Sequence, residues 1–124
     1  MSERVAVVTG ANRGIGRAIA TALARDGFTV AATARDPAVL AGTVDEVAAA
    51  GGKAVGFACD VRDEGSVASL AAQVLDRWPA VHTVVANAGV AGPTAPLQDI
   101  SLAEWRDCLV TDLDGVFLTF RAFV

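Results

Sequence analysis

The stretch Val5-Ala6-Val7-Val8-Thr9-Gly10-Ala11-Asn12-Arg13-Gly14-Ile15-Gly16 constrains this chain more than any other. A short apolar, β-branched run ends in a glycine-rich turn, and an alanine-rich helical pattern follows at once. That order reads as strand, tight turn, helix. The first amides of such a helix have no partner inside it, and they point out of its start with the positive end of the helix dipole. A phosphate seated there is stabilised without any side chain. In such a turn one glycine makes the sharp bend, one lets the backbone approach a pyrophosphate, and one lets helix pack closely on strand. We assign these jobs to Gly10, Gly14 and Gly16 in turn.

The rest of the chain repeats the alternation. Arg4–Thr9 reads as the first strand and Gly14–Asp26 as the first helix, with Ile15, Ile19, Ala22 and Leu23 on its buried face and Gly27 as its stop. Phe28–Ala34 is the second strand. Asp36-Pro37 then reads as an N-cap with proline in the first turn of a helix that buries Leu40, Val44 and Val47 and ends at Gly51-Gly52. A third strand, Ala54–Cys59, precedes a helix carrying Val67, Leu70, Ala71, Val74, Leu75 and Trp78, stopped by Pro79. The fourth strand is Thr83–Ala86, followed by Asn87-Ala88-Gly89 and a loop from Val90 to Ile100. Ser101-Leu102-Ala103-Glu104 is a capping box that opens a last helix running to the C-terminus.

Strict alternation predicts a parallel sheet with helices on both faces and right-handed crossovers. The fold class is therefore α/β, a Rossmann-type doubly wound parallel sheet, truncated after the fourth strand and the following helix. In that arrangement the first three strands grow outward and the fourth returns to the other side of the first. Gly10–Gly16 and Asn87–Gly89 then lie side by side at the switch point, where ligands of open α/β sheets bind.

Composition narrows the function classes. The chain has 124 residues, one domain's worth, and 53% of them are apolar, which argues against disorder. A net charge of −4 argues against a nucleic-acid surface. No apolar run approaches the length of a membrane span, and no signal-peptide pattern precedes the first strand. Cys59 and Cys108 form no C-x-x-C, so free thiols in a reducing cytoplasm are expected, with no metal site. His82, the only histidine, reads as a surface residue.

Thr9-Gly10-x-x-x-Gly14-Ile15-Gly16 directly after a strand resembles the cofactor loop of the short-chain dehydrogenase/reductase family. The resemblance spans essentially the whole chain but only the first half of that family's domain, a partial NAD(P)-binding domain over residues 1–124. It implies a nicotinamide dinucleotide cofactor held by Gly10, Asn12, Arg13, Gly14, Ile15 and Gly16. An acid at the end of the second strand favours NAD, and a nearby arginine accommodates the 2′-phosphate of NADP. Ala34 ends that strand and Arg35 follows, while Arg13 lies in the glycine loop, so NADP(H) is expected ahead of NAD(H). Asp36, about twenty residues past Gly16, is the competing acid, but the proline after it marks it as a cap. Two solvated surface arginines are the alternative. By the resemblance Asp60 and Val61 contact the adenine ring; as plain chemistry Asp60 starts a turn. Asn87, Ala88 and Gly89 resemble the end of the family's Asn-Asn-Ala-Gly, with Ala86 in place of the first asparagine, and Gly89 allows close approach to a cofactor ribose.

The family's reaction moves hydride between nicotinamide and a small carbonyl or alcohol, with a Tyr-x-x-x-Lys pair, an upstream serine and an asparagine on the helix after the fourth strand. This chain has no tyrosine, and its single lysine, Lys53, precedes the third strand. At the asparagine position stands Asp112, the one candidate catalytic residue. At ~100° per residue Asp112 interrupts an apolar stripe of Trp105, Leu109, Leu113, Val116 and Phe120. A carboxylate in such a seam is costly unless paired, and burial raises its pKa. Either Asp112 serves a site or it faces water in a half-built cleft. We expect the fourth strand's open edge and the last helix to recruit a partner, giving a homo-oligomer or a completed half-domain. Two further readings stay open: a non-catalytic module that binds nucleotide or completes a subunit, and a domain binding S-adenosylmethionine. A P-loop NTPase is excluded, since no Gly-Lys-Ser/Thr ending is present.

Overall fold

The apolar run at the N-terminus becomes an interior strand. A computed structural model describes residues 3–124. In it β1 (Val5–Val8) pairs in parallel with β2 (Thr29–Ala34) on one side and β4 (Thr83–Val85) on the other, and β3 (Lys53–Ala58) lies outside β2. The order is β3-β2-β1-β4, the expected doubly wound arrangement with a parallel crossover at the β1/β4 boundary. The register sets Val7 between Ala31 and Val84. Every residue of β1 and β2 is buried, as parallel strands covered on both faces should be.

Helices cover both faces. On one, α3 (Glu64–Arg77) lays Val67, Leu70 and Val74, with Trp78 just beyond it, against Val5, Val7 and Ala31. On the other, α1 (Gly14–Arg25) brings Ala20 and Ala24, and α2 (Ala41–Ala49) brings Val47, onto Val8, Val30 and Ala32. Leu40 joins this second core from the 3-10 turn Pro37–Leu40 that leads into α2. Arg17 Nε donates to Glu46 Oε2 at 2.6 Å and ties α1 to α2. Caps hold the helix starts: Asp36 accepts from the Ala38 amide, Asp63 from the Ser66 amide, and Ser101 and Glu104 form the expected reciprocal box.

Several faces differ from expectation. Ile15 is 74% exposed and Ala22 is exposed, because α1 packs through its small residues Gly16, Ala20, Thr21 and Ala24, and only half-buries Ile19 and Leu23. Small side chains bring the helix axis nearer the sheet and push its longer residues to the rim. Leu75 is likewise exposed, and Val44 is half-buried. His82 is exposed as expected, yet its Nδ1 accepts from the Val5 amide at 3.0 Å and so aligns the starts of β1 and β4.

The C-terminal segment is not one continuous α-helix. α4 (Leu102–Leu109) widens into a π turn at Val110–Asp114 before α5 (Gly115–Phe123). A wider turn resets the rotation per residue, so side-chain directions projected through it at an α-helical period go astray. Thr111, Gly115 and Thr119 are the buried residues of this segment, Leu118, Ala122 and Phe123 pack beside them on the first core, and of the apolar stripe only Leu109 and Val116 are half-buried. A Cβ on Gly115 would lie 2.7 Å from Val61 Cγ2, a measure of how closely α5 approaches the end of β3. Trp105, Leu113 and Phe120 are 51%, 61% and 44% exposed.

Candidate functional site

The carboxyl ends of the strands open into a cleft of about 870 Å³, within the range of ligand pockets. Eleven of the residues picked from sequence line it: Gly10, Asn12, Arg13, Gly14, Ile15, Arg35, Asp60, Val61, Asn87, Ala88 and Gly89. Gly16 lies behind this wall and packs α1 on the loop, where a Cβ would sit 2.1 Å from Gly10 O. Gly10 and Gly14 adopt φ of 61° and 56°, the left-handed region that glycine enters freely. No side chain caps the start of α1, and Gly14 and Ile15 of its first turn line the cleft, so this helix start borders the cleft without a side-chain acceptor on its amides.

The loops after β1 and β4 are clamped to each other. Thr9 Oγ1 accepts from the amides of both Asn87 and Ala88 at 3.0 Å. In return, Asn87 Nδ2 donates to Thr9 O at 3.1 Å and to Gly10 O at 3.0 Å. The two Nδ2 donors of Asn87 therefore shape the glycine loop. Below it, Thr43 Oγ1 donates to Ala11 O at 2.7 Å from a fully buried position. Thr9 heads the glycine-loop motif read from sequence, but without this bonding role, and Thr43 was not singled out. A hydroxyl ending the run Val5–Val8 was the available signal for Thr9; nothing local marks Thr43.

Charge is distributed along the cleft. Arg13 and Arg35 are exposed on its wall, next to Asp36, whose carboxylate is engaged as the cap described above. Asp60 is held by Arg62, which sequence reasoning passed over: Arg62 Nε donates to Oδ1 at 3.0 Å and Nη2 to Oδ2 at 2.9 Å. These bonds keep the Asp60 carboxyl below the usual carboxylate range, against a smaller opposing effect of burial. A depressed carboxyl pKa contributes stability above the unfolded-state value, and that stability is lost as pH falls through the lower folded value.

Asp112 lies in the π turn, beside a shallow depression shared with Asn87, Ala88, Gly89 and Val90. It is exposed, so the premise of a carboxylate buried in an apolar seam does not hold. It is nevertheless paired. Its Oδ1 accepts from the Val90 amide at 2.8 Å, and its Oδ2 accepts from Cys108 Sγ at 3.3 Å. The aspartate thus pins the loop that leaves β4. The hydrogen bond to Asp112, and after it partial burial, push the Cys108 thiol up. Asp112→Asn removes the charge that disfavours the thiolate. At mildly alkaline pH, alkylation of Cys108 by iodoacetamide should then quicken severalfold, because a lower thiol pKa raises the thiolate fraction. An unchanged rate in mass-spectrometric time courses would show that the carboxylate does not govern this thiol. Cys59 is buried, so its slower labelling serves as an internal reference.

The short chain dehydrogenase family profile matches residues 4–124. The chain belongs to the short-chain dehydrogenase family. Cis-4-hydroxycyclohexanecarboxylate dehydrogenase of Sinomonas cyclohexanicum is 42% identical over 125 aligned residues, covering 94% of this chain and 47% of that protein. Among solved structures, a metagenomic short-chain oxidoreductase in complex with NADP superposes with a TM-score of 0.92 at 41% identity, covering 99% of this chain and 56% of the other. An alcohol dehydrogenase from the archaeon Thermococcus sibiricus, complexed with 5-hydroxy-NADP, gives 0.90 at 40% identity, covering 98% of this chain and 52% of the other. This short-chain dehydrogenase sequence spans about half the length of the curated relatives it matches. Among the described residues no helix is long and apolar enough to cross a membrane.

Proposed function

We propose that this chain is the NADP(H)-binding half of a short-chain oxidoreductase that interconverts a small carbonyl compound and a secondary alcohol. The observation that carries the reading is that the uncapped start of α1 opens into the same cleft as Arg13 and Arg35. The residues present fit the cofactor. Amides of the Gly10–Gly16 loop would seat its diphosphate, and the two arginines would take the 2′-phosphate. Asp60 and Val61 would border the adenine, and Asn87, Ala88 and Gly89 the ribose next to the nicotinamide. When bound, the nicotinamide ring supplies or accepts the hydride. Asp112 holds the loop wall at that end through the Val90 amide.

The reaction also needs a proton donor beside the substrate oxygen. This chain has no tyrosine, and Lys53 starts β3 at the end of the sheet opposite the cleft. These 124 residues alone are therefore expected to bind cofactor without turning over substrate. Calorimetry with NADPH, NADH and S-adenosylmethionine tests the binding half of the reading. Tighter binding of S-adenosylmethionine, or no binding of NADPH, would sink it. Steady NADPH oxidation with a panel of ketones would overturn the claim of inactivity.

The partner reading rests on exposed apolar side chains. Leu102, Trp105, Leu113, Phe117 and Phe120 are all exposed on α4, the π turn and α5, and β4 is an edge of the sheet. Such surface favours association, with a second copy or with a chain that completes the domain. Light scattering on a size-exclusion column that returned a stable monomer would contradict this.

A further inference from the structure

The Asp60–Arg62 pair has a consequence for base recognition, and the consequence rests on the dinucleotide reading above. A carboxylate has about four lone-pair positions. At Asp60, Oδ1 accepts twice, from the Arg62 amide at 3.1 Å and from Arg62 Nε at 3.0 Å, while Oδ2 accepts once, from Arg62 Nη2 at 2.9 Å. One acceptor position is left, and it lies on Oδ2. The carboxylate has little freedom to move it. A guanidinium fork fixes both oxygens in one plane. The Asp60 amide is tied in addition, donating to Ser66 Oγ at 2.9 Å. Arg62 lines the cleft together with Asp60.

We propose that Arg62 is a positioning residue for base selection: it locks Asp60 so that a single fixed acceptor faces the purine. A fixed acceptor accepts an exocyclic amine and repels a carbonyl oxygen at the same place. A 6-aminopurine is therefore taken and a 6-oxopurine refused. With the Arg62 guanidinium gone, only the backbone amide at position 62 still holds Oδ1, and Oδ2 is released to reach the ring N–H that a 6-oxopurine carries beside its carbonyl, so discrimination falls.

The test is calorimetry on the purified chain at neutral pH, comparing NADPH with its hypoxanthine counterpart, reduced nicotinamide hypoxanthine dinucleotide phosphate. The wild-type chain should prefer NADPH by about tenfold, the scale of one charge-assisted hydrogen bond. Arg62→Ala should reduce that preference to about threefold or less, and Arg62→Lys, with a point charge in place of a fork, should fall between. Arg35→Ala should weaken NADPH while leaving the adenine-to-hypoxanthine ratio intact, which a general structural effect would not do. Equal wild-type affinity for the two dinucleotides, or an Arg62→Ala chain that keeps the wild-type ratio, overturns the proposal while leaving dinucleotide binding standing. Failure of the wild-type chain to bind either compound overturns the dinucleotide reading and this proposal with it. Arg62 is partly exposed, so melting curves should show a folded variant; if Arg62→Ala does not fold, Arg62→Lys decides the question on the same ratio.

Discussion

Gly16→Ala is expected to abolish NADPH binding and to lower the unfolding free energy by roughly 3 kcal/mol, the upper part of the range for overpacking. The added Cβ would sit 2.1 Å from Gly10 O, 2.4 Å from Asn87 Nδ2 and 2.9 Å from Gly10 C. None of these atoms is the loose end of a flexible chain. Gly10 O already accepts from Asn87 Nδ2, and Asn87 is locked to Thr9 through both its amide and its side chain. Relief would require α1 to lift from the loop. That would uncover Ala20 and Ala24 from the second core and turn the helix start away from the cleft. Gly14→Ala is the informative comparison. Nothing lies within 4 Å of its Cβ position, but φ is 56°. A left-handed alanine costs about 1–2 kcal/mol, so this variant should fold, and its methyl group would stand where a diphosphate approaches. Urea unfolding followed by circular dichroism, with calorimetric titration of NADPH, separates the two. If Gly16→Ala melts with the wild-type chain, the contact between loop and helix is not as close as described.

The second large effect concerns which dinucleotide is chosen. Removing Arg13 or Arg35 singly should weaken NADPH by about tenfold to a hundredfold, the equivalent of losing one charged hydrogen bond of ~1.5–3 kcal/mol. NADH, which has no 2′-phosphate, should change little. Both arginines face the same cleft, and neither appears among the ion-paired side chains of the described residues. Neither is held in a close ion pair, in contrast to Arg17, Arg62 and Arg121. Asp36 is close in sequence, but its carboxylate caps the Ala38 amide. The preference should shrink with added salt, since both groups are solvent-exposed. Equal losses for NADPH and NADH in the double variant would show that the arginines act on the fold or the diphosphate, and the assignment to NADP would fail.

Association through α4 and α5 would bear on both experiments. The apolar side chains on these helices lie outside the cleft, whereas Asp107 and Thr111 of the same segment line it. A partner seated there would stiffen the segment that carries Asp112 and, through the Val90 amide, the loop after β4. Titrations at two protein concentrations would reveal such coupling as a concentration-dependent affinity.

Local chemistry made much of this protein readable in one dimension. Runs of β-branched residues, helical spacing of apolar ones, caps at Asp36 and Ser101 and the glycine loop all act within a few residues, so strand and helix order and the parallel sheet followed from pattern and chirality. Cleft residues such as Arg13, Arg35 and Asp60 were legible for the same reason, since each stands at the end of a strand or in its turn. What periodicity does not encode is what covers a face. The stripe Trp105, Leu113, Phe120 is as apolar as a core stripe, but the π turn and the close approach of Gly115 to Val61 turn Thr111 and Thr119 inward instead. Nor does it encode side-chain bonds between distant loops. The exchange between Thr9 and Asn87, 78 residues apart, exists only because β4 pairs with β1 in one register. Backbone conformation is settled largely by neighbours along the chain, whereas burial and long-range hydrogen bonds are settled by which surfaces meet, and only the folded structure brings those surfaces together.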